Sequence, residues 1–90
     1  MVDPIFKPVL NRHFRLQWEP IQDAFVLLYP EGMVKLSPSA AEILKACDGC
    51  RSVEEIGSEL QRRYPDADNL KEDVEDFLNG AKQRGWTEFV

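Results

Sequence analysis

The sequence predicts an α+β domain, a three-stranded antiparallel sheet followed by three helices. Two observations carry that reading. Up to Leu36 the apolar residues alternate or run together in short segments, and beyond it they recur at three- and four-residue spacing. Proline, glycine and hydroxyl residues fall at the joints between those segments. Ninety residues make one small domain at most, with little folding surplus, so a surface groove is a more natural site than a deep catalytic cavity.

Residues 1–12 read as an irregular N-terminal arm, because Pro4 and Pro8 withhold backbone donors, and residues 13–90 as the single domain. From His13 to Glu19 the pattern alternates, with Phe14, Leu16 and Trp18 on one face and Arg15, Gln17 and Glu19 on the other. Pro20 stops this strand and Ile21-Gln22-Asp23 turns the chain. Ala24–Tyr29 is a second strand, apolar throughout, which predicts cover on both faces, one by helices and the other by an arm or a partner. Pro30-Glu31-Gly32 leads into a third strand, Met33–Leu36, completing a meander.

Ser37-Pro38 starts the first helix, a hydroxyl cap before a proline at the first helical position, with Ser39 as an alternative cap. Ala40, Ile43, Leu44 and Cys47 share one face, and Asp48-Gly49 ends the helix with Gly49 in a left-handed cap. Ser52 and Glu55 form a capping box for a second helix striped by Val53, Ile56, Leu60 and Tyr64 and ended by Pro65. Asn69, with Glu72 three residues on, starts a third. Its stripe of Leu70, Val74, Phe77, Leu78 and Ala81 is the strongest in the chain. Gly85 ends it, leaving 86–90 as a short extended tail. Three amphipathic helices on a small sheet give a winged-helix-like architecture.

The formal charge is −5, and its distribution is uneven. Residues 1–45 carry five acids and five bases, residues 46–90 eleven and six. Nucleic-acid binding needs a basic footprint, and the helix with the strongest stripe carries Glu72, Asp73, Glu75 and Asp76 instead. The longest apolar run is Ala24–Tyr29, too short for a membrane span, so no membrane association is expected. Met-Val-Asp-Pro shows no secretory signal, which makes the cytoplasm the default.

Little here points to catalysis. Cys47 and Cys50 have Cys-x-x-Cys spacing, but Cys47 sits at a helix C-terminus, where the dipole opposes a thiolate. His13 is the only histidine and cannot complete a zinc site with two cysteines. Ser37, Ser39 and Ser52 are explained as caps, and no phosphate loop or nucleophile elbow is present. The chain is therefore expected to be no enzyme and to hold no cofactor. Met33–Leu36, with no proline and a single charge, is an edge strand to which a peptide could add as a further strand. Cover from within the fold or by a second copy is the competing expectation, and an exposed edge permits a homodimer.

The ordered set Phe25-Val-Leu-Leu-Tyr-Pro30, Val34-Lys-Leu-Ser37, Ala40-Ala-Glu-Ile-Leu44, Cys47-Asp-Gly49, Arg51-Ser-Val-Glu-Glu-Ile56 and Val74…Phe77-Leu78…Gly85 resembles the protein D family of pyrroloquinoline quinone biosynthesis across residues 13–87. Cys50 departs from the common family pattern. The resemblance implies a non-catalytic chaperone that binds the ribosomal precursor peptide and presents it to a radical S-adenosylmethionine enzyme for Glu–Tyr cross-linking. It also implies that the peptide lies along Met33, Val34, Lys35 and Leu36, with Asp73, Phe77 and Arg84 of the third helix as further contacts. The alternatives are a leader-peptide recognition domain of another modified-peptide pathway, a small thiol redox protein and a winged-helix nucleic-acid binder.

Overall fold

The alternating segment forms strands where its apolar face meets a core. In the computed structural model, which describes residues 5–89, β1 spans Pro8–Leu10, β2 Arg15–Glu19, β3 Ala24–Tyr29 and β4 Gly32–Lys35. Strands β2, β3 and β4 form the expected antiparallel meander in that order. Leu16 faces Leu27 and Leu27 faces Val34, while Trp18 faces Phe25. Cross-strand partners share a face, and this face packs on the helices, with Leu27 and Leu36 in the central cluster and Phe14, Leu16, Phe25 and Val34 against it. The β2–β3 turn closes through an Asp23 N–H bond to the Pro20 carbonyl at 3.2 Å, and Asp23 takes φ 52, a left-handed conformation that aspartate tolerates. Ile21 at its tip is 93% exposed.

Helix α1 spans Pro38–Lys45, α2 Val53–Arg63 and α3 Leu70–Gln83. Ser37 caps α1 by accepting the Ala40 N–H at 3.2 Å. At α2 both halves of the capping box are made: Ser52 Oγ accepts the Glu55 N–H at 3.1 Å, and Glu55 Oε1 accepts the Ser52 N–H at 2.8 Å. Helix α3 ends in a Schellman turn. Gly85 at φ +78 donates to Lys82 and Trp86 to Ala81, which satisfies the last carbonyls. Ile56 and Val53 of α2 and Leu78 and Val74 of α3 are fully buried in the core, where the two helices pack on each other.

Four expectations need correction. The first helix ends at Lys45 with Ala46 as its cap, so Gly49, although left-handed at φ +77, lies in the connection rather than at the cap. Tyr64 does not extend the α2 stripe. It is 48% exposed, because the helix has already unwound there. Asn69 precedes α3 in a left-handed conformation, φ +56, and its side chain makes no cap bond. The N-terminal segment is not irregular throughout, since β1 pairs antiparallel with β5, Thr87–Phe89, joining Pro8 to Phe89 and Leu10 to Thr87. Pro8 is accommodated because its carbonyl accepts the Gly49 N–H while its missing donor leaves no orphan. Pro4 lies outside the described residues. No helix among them is long and apolar enough to cross a membrane.

Candidate functional site

Antiparallel pairing commits alternate residues of a strand to opposite sides. The Leu36 N–H bonds the Phe25 carbonyl at 3.0 Å. By the β3–β4 register, Gly32 and Val34 also turn their peptide groups toward β3, and Met33 and Lys35 turn theirs away. Strand β4 is the sheet edge. Among the described residues nothing bonds the outward N–H and C=O groups of Met33 and Lys35. Two donors and two acceptors thus stand at alternate positions, the template for one more antiparallel strand. Met33 is 46% exposed, Lys35 is exposed and Val34 half-buried. Leu36, 5% exposed, anchors the strand end in the core and has spent its own N–H.

The opposite edge, β2, is open as well. The same alternation turns the peptide groups of Leu16 and Trp18 outward.

Asp73 and Phe77 of α3 and its C-cap residue Arg84 lie along one helical stripe, four and seven residues apart. Asp73 and Arg84 are exposed and Phe77 half-buried against the core. Phe77 and Arg84 come together at Trp86, with ring centroids 6.4 Å apart and the guanidinium 5.3 Å over the indole. Gly80 makes room for this fold-back, since a Cβ there would stand 3.1 Å from Arg84 Nη1. Helix α3 packs mainly on α2 and β5, and β4 on β3. No hydrogen bond, ion pair or ring contact among the described residues joins Met33–Leu36 to Asp73, Phe77 or Arg84.

A cleft of about 580 Å³ at the end of the sheet escaped sequence reasoning. It lies between the Trp18–Phe25–Leu36 row and α1, with Lys45 Nζ 4.1 Å above the Phe25 ring and Trp18 edge-on to that ring at 5.3 Å. Its walls come from four elements, so no local pattern announces it. Glu42 on its rim accepts from Arg63 at 2.7 Å and Lys45 at 3.5 Å, and these cations, Arg63 foremost, hold its carboxyl below the usual range.

The thiols differ sharply. Cys47 is 6% exposed and its Sγ donates to the Ile43 carbonyl at 3.3 Å. Burial, with a smaller push from the Asp48 charge, raises this thiol to about 12, opposite to what a redox nucleophile requires. Cys50 is exposed. Asp48 accepts the Cys50 N–H at 2.9 Å and the Arg51 N–H at 3.2 Å, the former being the main reason its pKa is lowered. His13 is exposed, its N–H bonded to Asn11 Oδ1 at 2.9 Å. The described residues contain no group of three metal-ligating side chains placed to hold an ion.

Comparison with known proteins adds three findings. Residues 24–86 match the family described as coenzyme PQQ synthesis protein D (PqqD). A protein of Azotobacter vinelandii named PqqA binding protein is 54% identical over 81 residues, which cover 90% of this chain and 88% of that protein. One of the same name from Acinetobacter baylyi is 47% identical over 79 residues, 88% and 80% of the two chains. Among solved structures, the PqqD part of Methylobacterium extorquens PqqCD superposes with a TM-score of 0.73 at 34% identity, covering 90% of this chain and 87% of that one. That structure is described as a functional, stand-alone recognition element for ribosomally synthesised and post-translationally modified peptides.

Proposed function

The chain belongs to the PqqD family, and from that premise we propose that it is a non-catalytic peptide chaperone of pyrroloquinoline quinone biosynthesis. It binds the ribosomal precursor peptide and presents it to a radical S-adenosylmethionine enzyme for Glu–Tyr cross-linking. The observation that carries this reading is the pair of free peptide groups at Met33 and Lys35 on the β4 edge. The names of the relatives, which bind PqqA, and the recognition-element description of the structural neighbour support it.

The peptide adds as an antiparallel strand beside β4. It exchanges two hydrogen bonds with Met33 and two with Lys35, each contributing about 0.5–1.5 kcal/mol net. Val34 and Leu36 hold the strand to β3 and to the core. In the same reading Asp73, Phe77 and Arg84 are further contacts of the bound peptide. Fixing a flexible peptide in one register raises the effective concentration of its reacting residues at the enzyme and leaves the chemistry to that partner.

Titration of the ¹⁵N-labelled protein with synthetic PqqA tests the reading. The largest amide shifts are expected at Met33 and Lys35, with smaller ones along α3. Shifts confined to Leu16 and Trp18 would move the site to the β2 edge, and an unperturbed spectrum would refute peptide binding.

A further inference from the structure

The face of the sheet turned away from the helices has a pattern that the core does not explain. Alternation places three cross-strand rows on it, Arg15–Leu28–Met33, Gln17–Val26–Lys35 and the shorter Glu19–Ala24. Val26 is fully buried yet stands outside the helix-packed cluster, and Leu28 is half-buried beside it. An apolar strip therefore crosses the outer face and reaches the open edge at Met33, the one large apolar side chain of that edge left substantially exposed. One row along, the edge ends in Lys35, whose ammonium has no ion pair, hydrogen bond or aromatic contact among the described residues. Arg15, at the far end of the apolar row, is likewise without a charge partner. In a chain of net charge −5, two cations thus flank the apolar strip, while Glu19, on the same face one row beyond Gln17, accepts the Ile21 N–H at 3.1 Å.

Resting on the strand-addition reading above, we propose that this outer face selects the peptide by sequence. It requires an acidic residue opposite Lys35 and an apolar residue two positions C-terminal to it, opposite Met33. The order follows from antiparallel addition, in which the peptide runs from Lys35 toward Met33. Both side chains then point to the outer face, because paired residues share a side of the sheet. The carboxylate meets an unpaired ammonium across the strand, and the apolar side chain extends the strip made by Leu28 and Met33. The backbone bonds are indifferent to sequence, so these two side chains decide which segment docks and in which register. A slip of one residue turns both away from the outer face.

The experiment is a double-mutant cycle by calorimetry, using synthetic PqqA and variants with each Asp or Glu replaced in turn by Lys, against the full chain, Lys35→Glu and Met33→Ser. Lys35→Glu is expected to weaken binding about 5- to 30-fold, and a single acid-to-Lys peptide variant to recover at least fivefold on that background. Replacing the apolar residue two positions after that acid by Ser should weaken binding to the unaltered protein but add nothing on the Met33→Ser background. Dispersed amide spectra establish that both variants are folded. Tight binding that is indifferent to Lys35→Glu, or recovery spread evenly over all acidic positions, overturns the selectivity and leaves strand addition standing. Failure of the unaltered protein to bind PqqA removes both.

Discussion

Replacing Lys35 by proline separates the edge from the fold. The Lys35 N–H points away from β3, so proline there removes no ladder bond. Folding stability should fall by no more than about 1 kcal/mol. Peptide binding loses one of its four backbone bonds, and the pyrrolidine ring occupies the space of the incoming carbonyl. Together these cost about 1.5–3 kcal/mol, a weakening of roughly 10- to 150-fold. Two companions isolate the cause. Lys35→Ala removes the charge and keeps the N–H, so its loss measures the side chain alone. Val34→Pro removes an inward N–H that β3 needs and should cost roughly 3 kcal/mol of stability. Urea denaturation reads stability and calorimetry with PqqA reads affinity. A folded Lys35→Pro protein that binds PqqA as tightly as Lys35→Ala would refute strand addition at β4.

Three further outcomes follow from the fold. Thr87 is 2% exposed and its Oγ1 finds no partner among the described residues; Thr87→Val, of similar shape, should raise the unfolding free energy by about 1 kcal/mol in urea titration. Cys50 should react with a maleimide in the native protein while Cys47, held near 12, does not, so intact mass should show one adduct when folded and two in denaturant. The carboxyls of Glu42, Asp48 and Glu55 all titrate below their ordinary values of 4.5, 3.8 and 4.5, because Arg63, the Cys50 N–H and the Ser52 N–H respectively favour the charged form. Their lowered folded-state pKa values mean that the contribution is full above the unfolded values and is lost as pH falls through the folded ones. Thermal melts should therefore drop below about pH 4.5, and less steeply in Glu55→Gln, which removes one of the three titrating carboxyls.

The local elements were legible because each is governed by near neighbours in the chain. Ser37-Pro38, the Ser52–Glu55 box and the Gly85 stop act within one turn of helix, and the alternation at Phe14, Leu16 and Trp18 needs only a period of two. The candidate edge was legible in part. Sequence identified the strand at Met33–Leu36, but which of its peptide groups are free depends on the register with β3, and this divides Met33 and Lys35 from Val34 and Leu36.

Interactions between distant segments were decided by tertiary structure alone. Strand β1 finds β5 across nearly the whole chain, and no periodicity in three residues specifies such a pairing. The cleft under Lys45 and the ion pair of Arg63 with Glu42 likewise arise from elements brought together by the collapse of the core. Sequence by itself determined the kind of domain and its family, since caps, turns and apolar periods are short-range. The third dimension determined which backbone groups remain unpaired and which side chains border them, because hydrogen-bond direction and burial depend on what each residue packs against.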